Sequence, residues 1–249
     1  MLSGLVTAAR TLTIFSVPGK DSEKFSNSLY WFPVVGAFLG ALLGAVAWLG
    51  VRSGWNELAA AGVVVGGLLL TRGMHADGLA DMADGFWGGR DRARILSIMK
   101  DPNVGSFGAL ALFSLMLLKW VAVLRLAEHG AFTVIASGVL LGRLSQVLLA
   151  VSLPYARRDG GTASGFVGGA GFRHAAVASG LSFLILLLLF YCDPVLLSLS
   201  VGASLLAAAG MGFLSQKKIG GVTGDVLGAV SEVTELFVWL AAGLALTAF

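Results

Sequence analysis

Apolar residues in this chain do not alternate with polar ones; they come in uninterrupted runs divided by short polar breaks. Runs over about Trp31–Val51, Phe107–Leu126, Phe132–Leu153, Ala175–Tyr191, Val195–Leu214 and Val226–Ala248 approach or reach the length of a membrane-crossing helix. A seventh run, Leu58–Thr71, is short for a crossing and needs extension at one end to reach across. Residues 2–16 are apolar but carry Arg10, which predicts a helix lying at the membrane interface, ended by Pro18 and Gly19. The expected fold is all-α: a polytopic integral membrane helical bundle with about seven transmembrane helices plus an N-terminal interfacial helix. The chain, 1–249, reads as a single membrane-embedded catalytic domain.

Composition supports that class. Hydrophobic residues make up 57% and charged residues 12%, against about a quarter charged in soluble domains. The lipid bilayer is therefore the expected surrounding. A net charge of +3 is too small to imply a nucleic-acid partner. The lone Cys192 excludes an internal disulfide and a cysteine metal site. No signal-peptide pattern is read at the N-terminus. Gly36, Gly40 and Gly44 share one helix face, as in a close helix seam, and general glycine enrichment of membrane helices accounts for them equally well.

Charge placement gives the orientation. One set of loops carries thirteen basic residues, among them Arg10, Lys20, Arg72, Arg90, Arg157, Arg158 and Lys217; the other set carries Arg52 and Arg125. By the positive-inside rule the first set is cytoplasmic. The expected location is the cytoplasmic (inner) membrane, multi-pass, with the site facing the cytoplasm and the C-terminus outside.

The candidate site is the stretch Thr71–Gly108, which concentrates Asp77, Asp81, Asp84, Asp91 and Asp101 in an otherwise apolar chain. At about 100° per residue, Asp77, Asp81 and Asp84 fall within an arc of about 60° on one helix face. Carboxylates so placed repel one another unless a cation sits among them, and hard oxygen ligands suit Mg²⁺ bridging to phosphates. A solvated acidic face paired with Arg90, Arg92 and Arg94 is the competing reading. His75 lies on the opposite side of that helix, where packing is as fitting as a site role. Gly78 and Gly85 suit either a phosphate approaching the backbone or close helix packing. Asp101 is either a further carboxylate of the site or a turn former before Pro102.

Two further features bear on phosphate chemistry. The loop Gly220–Asp225, preceded by Lys217 and Lys218, has the composition of a phosphate cradle without a Walker A sequence. Glu232 and Glu235 follow inside the last span, where carboxylates are functional candidates. Arg143, inside another span, either pairs with one of them or contacts a phosphate. Acidic residues with scattered Arg and Lys fit metal-assisted phosphoryl transfer.

The motifs carry a resemblance. His75-Ala76-Asp77-Gly78-Leu79-Ala80-Asp81-Met82-Ala83-Asp84-Gly85 resembles the HxDGLADxxDG signature of the adenosylcobinamide-GDP ribazoletransferase family, the bacterial cobalamin synthases. Ile98-Met99-Lys100-Asp101 with Gly105 and Gly108 looks like that family's IMKD segment. Gly220-Gly221, Thr223-Gly224-Asp225, Leu227-Gly228-Ala229 and Glu232 look like its C-terminal motif, and Phe32-Pro33 with Gly36 and Gly40 like its first span. Ala76, Met82 and Pro102 depart from the usual Leu, Thr and Ser, and none of these removes a carboxylate.

The resemblance implies a Mg²⁺-dependent transferase of cobalamin biosynthesis. Its substrates would be adenosylcobinamide-GDP and α-ribazole or its 5′-phosphate, and its products adenosylcobalamin or its 5′-phosphate and GMP. Other corrinoid-pathway enzymes are possible partners. The implied metal ligands are Asp77, Asp81 and Asp84, and the implied catalytic carboxylates Asp81, Asp84 and Asp101. The expected substrate-binding set is His75, Arg90, Lys100, Arg143, Arg157, Lys217, Asp225 and Glu232.

Other classes fit less well. A CDP-alcohol phosphotransferase calls for Ala-Arg where Ala80-Asp81 stands. A membrane prenyltransferase leaves the second Gly-rich loop unexplained. An ion-coupled transporter predicts inverted repeats, and none is visible in the chain.

Overall fold

The structure, a computed structural model, describes residues 2–157 and 159–246. Arg158 and the expected end of the last span at Ala248 lie outside those residues. Among the described residues the regular structure is helical, with one isolated backbone bridge between Tyr155 and Val222. The order is α1 (Leu2–Leu12), a 3-10 turn (Phe25–Trp31), α2 (Phe32–Arg52), α3 (Asn56–Leu70), α4 (Met74–Gly88), α5 (Arg92–Ile98) and α6 (Ser106–Glu128). Then follow α7 (Phe132–Ser152), α8 (Ser164–Val167), α9 (Phe172–Leu189), α10 (Pro194–Ile219) and α11 (Gly224–Ala245).

Six helical segments are long and apolar enough to cross a membrane, and a seventh crossing exists if α3 and α4 are counted together. This agrees with a polytopic bundle of about seven spans. α7 and α11 form its centre: 89% and 78% of their apolar windows are buried, against 22% for α9 and 28% for α6 and α10. The outer helices turn Phe113, Leu188 and Phe213 outward, 69–77% exposed. In water such surface would be costly; against lipid it is the expected surface of a membrane bundle.

The short run at 58–71 behaves differently from a simple span. α3 stops at Leu70 because Arg72 and Gly73 both take left-handed backbone, with φ of +55° and +67°. For Arg72 that conformation is uncommon. It is supported by a bond from Arg72 Nη2 to the Arg10 carbonyl, 3.1 Å, and by Ile14 N–H donating to Leu70 O, 2.8 Å. The chain leaves the turn at 87° to α3. α4 therefore does not continue the axis of α3. It lies across the first turns of α6 and α11 at the end that carries the basic loops, with α5 packed on its far end.

Glycines set the closest helix approaches. A methyl added at Gly40 would lie 2.4 Å from Ala136 O, and one at Gly36 would lie 2.8 Å from Arg143 Cγ. The Gly36/Gly40 face is thus the seam between α2 and α7. Gly78 packs on the backbone of Asp225, where a methyl would sit 2.7 Å from its carbonyl oxygen, and Gly228 packs on His75. Gly85 packs on Met99. Helix packing therefore accounts for Gly78 and Gly85 of α4.

Gly40→Ala is expected to destabilise the bundle by about 1–3 kcal/mol, since backbone on α7 must move. Gly202→Ala, where an added methyl meets nothing within 4 Å, is expected to be neutral or slightly stabilising. Unfolding of the two variants in detergent checks the contrast.

Candidate active site

α4 presents its three aspartates to three different environments. Asp77 is exposed, Asp81 is half-buried and Asp84 is buried. Asp84 accepts from the backbone N–H groups of Gly105, 2.7 Å, and Gly108, 2.9 Å. Both oxygens thus satisfy the first turn of α6, where helix N–H groups lack internal partners. Asp84 ties α4 to α6, and the carboxylates left open to a cation are Asp77 and Asp81.

Asp81 stands in an acidic field. Its carboxyl is pushed up to about 7, first by burial, then by the charges of Asp77 and Asp225, with Arg157 opposing and Asp84 adding. Arg157 Nη2 pairs with Asp225 at 2.8 Å and also donates to Met99 O at 3.2 Å. Thr223 Oγ1, the cap of α11, donates to Asp225 at 3.1 Å. Asp77, Asp81, Asp225 and Arg157 are therefore one electrostatic group, drawn from α4, the start of α11 and the loop after α7.

A groove of about 700 Å³ adjoins this group, lined by Arg92, Leu96, Lys100, Arg157 and Asp159 among others. Arg92 is fixed by donating to the carbonyls of Ile219 and Ala156, both at 2.7 Å. Lys100 pairs with Asp159. Three cations face one carboxylate, so the groove favours a multiply charged anion. Arg90 and Lys217 are exposed near it in the chain, outside the lining.

Several expected site residues sit elsewhere. Arg143 and Glu232 are buried, 1% and 6% exposed, inside an ion network between α6, α7 and α11. Lys119 Nζ bonds Glu232 at 2.5 Å and Glu235 at 2.6 Å, and Arg143 bonds Glu235 at 3.1 Å and Ser231. The space they line measures about 20 Å³, room for a water and not for a nucleotide. The expectation that Arg143 and Glu232 bind substrate is corrected accordingly; Arg143 pairs with an intramembrane carboxylate. His75 is 1% exposed, its ring nitrogens unpartnered among the described residues, and it packs on Gly228. It too stands apart from the open groove.

Asp101 is exposed and accepts from Asn103 N–H, 2.9 Å, and Nδ2, 2.7 Å. These bonds hold its carboxyl below the usual range and make it a turn former rather than a base near Asp81. The Gly220–Asp225 loop is likewise not a free cradle. Val222 N–H donates to Pro154 O and Val222 O accepts from Ala156 N–H, both 2.8 Å. Gly221 is required because a side chain there would run into Pro154 O at 2.1 Å. The bridge brings Arg157 beside Asp225.

Sequence reasoning missed Arg92 as a groove anchor and Lys119 as the partner of both glutamates. The signal for Lys119 was available: a lysine inside a span calls for an intramembrane acid.

No three His, Cys, Asp or Glu side chains among the described residues form a ready cage. Magnesium, however, commonly keeps waters and takes one or two carboxylates plus substrate phosphates. Asp77 and Asp81 match that donor set, and the charges of Asp77 and Asp225, which add to burial in raising the Asp81 carboxyl, are ones that a cation would relieve.

Fold and site together define a polytopic helical membrane protein with a carboxylate–arginine centre at its basic end. A family model described as cobalamin-5-phosphate synthase matches residues 4–243, and the chain belongs to that family. Similar proteins named adenosylcobinamide-GDP ribazoletransferase occur in Chlorobium phaeovibrioides, 78% identical over 100% of both chains, and Chlorobium chlorochromatii, 62% identical over 99% of this chain and 98% of that one. One from Syntrophobacter fumaroxidans is 36% identical over 97% of this chain and 98% of its own. No solved structure matches the chain.

Lys119→Met leaves two buried carboxylates facing one Arg. It is expected to destabilise the protein by about 3–5 kcal/mol. Adding Glu232→Gln to Lys119→Met is expected to recover part of that loss. Unfolding in detergent measures both.

Proposed function

We propose that this chain is a Mg²⁺-dependent transferase that joins adenosylcobinamide-GDP to α-ribazole, or to its 5′-phosphate. The products are adenosylcobalamin, or its 5′-phosphate, and GMP. The observation that carries this reading is the Asp77–Asp81 pair set beside a groove with an excess of guanidinium and ammonium groups. The names of the relatives supply the substrates, and the family description favours the 5′-phosphate as a natural acceptor. The basic loops favour an active site facing the cytoplasm across the inner membrane.

In this mechanism Arg92, Lys100 and Arg157 bind the diphosphate of the donor and orient it along the groove. Asp77 and Asp81 would hold magnesium. When bound, the ion neutralises phosphate charge and stabilises the negative charge that builds on the leaving group. A ribose hydroxyl of the acceptor attacks the phosphorus nearest cobinamide. The new P–O bond forms as the bond to the bridging oxygen breaks, and that oxygen leaves on GMP. Asp81, half-buried one turn from Asp77 on α4, takes the hydroxyl proton. Asp225 keeps Arg157 in place.

Purified protein with adenosylcobinamide-GDP, α-ribazole and Mg²⁺ is expected to release GMP with a corrinoid product. At limiting Mg²⁺, where Asp81 must lose its proton to take the cation, kcat/KM should rise with pH up to about 7 and level off above. Raising Mg²⁺ should move that limb to lower pH, since a cation favours the ionised form. Asp81→Asn should lower turnover at least about 100-fold. Mg²⁺-independent turnover, or wild-type turnover in Asp81→Asn, would refute the mechanism.

A further inference from the structure

A second groove, of about 670 Å³, lies at the α3–α4 bend and is unused by the mechanism so far. Leu68, Met74, Leu112 and Met116 form apolar walls, and Arg72 and Asp77 are its charged groups. Asp77 thus lines this groove, whereas Arg157 lines the basic one. Asp81, one turn along α4 from Asp77, feels the charge of both. The carboxylate pair therefore stands between two grooves of opposite character.

We infer that the α3–α4 groove is the acceptor site and takes the benzimidazole riboside. This rests on the function proposed above and adds which surface holds which substrate. The basic groove has three cations to one carboxylate and matches the donor's diphosphate. The second has one of each, so it offers no net attraction to that group. Its thioethers and leucines suit a flat, apolar bicyclic base; methionine sulfur packs well against aromatic edges and adapts its shape. Its volume is in the range of small-molecule sites. A riboside lying there has its sugar toward Asp77, the groove's carboxylate, and hence toward the phosphorus held across α4. Arg72 is the group that receives a 5′-phosphate when the acceptor carries one. The bend makes the groove: two left-handed residues swing α4 away from α3 and leave the space between them and α6.

The test is a pair of substitutions on the α6 wall of this groove, outside the lining of the basic one. Leu112→Trp and Met116→Trp are each expected to raise KM for α-ribazole at least ten-fold and to change KM for adenosylcobinamide-GDP less than two-fold. Ser97→Trp, on the wall of the basic groove, is expected to do the reverse. A binding readout needs no turnover. In Leu112→Cys protein with Cys192→Ser, α-ribazole should slow maleimide labelling at position 112, and GDP should not. The assignment is overturned if the α6 substitutions raise only the donor KM or neither KM, or if GDP protects position 112 and α-ribazole does not. Absence of GMP release by the wild-type protein would instead overturn the reaction itself, so the two failures are distinct.

Discussion

Four charged side chains lie in the apolar centre of this bundle, and they are tolerable only because they answer one another. Lys119 on α6 and Arg143 on α7 face Glu232 and Glu235 on α11, two charges of each sign. Removing any one leaves an uncompensated charge in a medium that solvates it poorly. The network therefore fixes the mutual position of three helices. Further polar contacts keep the same register: Gln146 to Leu227 O and Thr234 to Ser145, both 3.1 Å. With α11 held, its Gly228 and Asp225 form the surface on which α4 rests. The carboxylates of α4 owe their placement to charges buried in the bundle's interior.

That division of labour separates residues that resemble one another in sequence. Asp84 lies on the same face of α4 as Asp77 and Asp81, yet its oxygens go to the start of α6. Asp225 anchors Arg157. Asp81 is pushed toward neutrality, because it is half-buried among other acids. α4 lies between a basic groove and an apolar one, an arrangement suited to bringing a charged donor and an aromatic acceptor to the same carboxylates.

The spans were legible because a run of about twenty apolar residues leaves few options other than a membrane helix. The Asp-rich stretch stood out as a candidate site because charges are scarce elsewhere. Pairings between helices were not. Lys119 and Glu232 are 113 residues apart, and no local pattern links them, so Arg143 and Glu232 passed for substrate ligands. The Gly220–Asp225 loop read as a phosphate cradle because composition does not reveal that Pro154 and Ala156 occupy its backbone groups. Helical periodicity placed three aspartates on one arc, but the partners that divide them come from α6, the start of α11 and the loop after α7. The bend after Thr71 depends on left-handed backbone at Arg72, which the residue type does not favour.

The proposed cation site is the pair Asp77 and Asp81. It is tested most directly by Mn²⁺ binding to the purified protein with GDP, followed by electron paramagnetic resonance. The account predicts a bound-Mn²⁺ signal in the wild-type protein that is lost in the Asp77→Asn, Asp81→Asn double variant while the protein stays folded. An undiminished signal in that variant would contradict it.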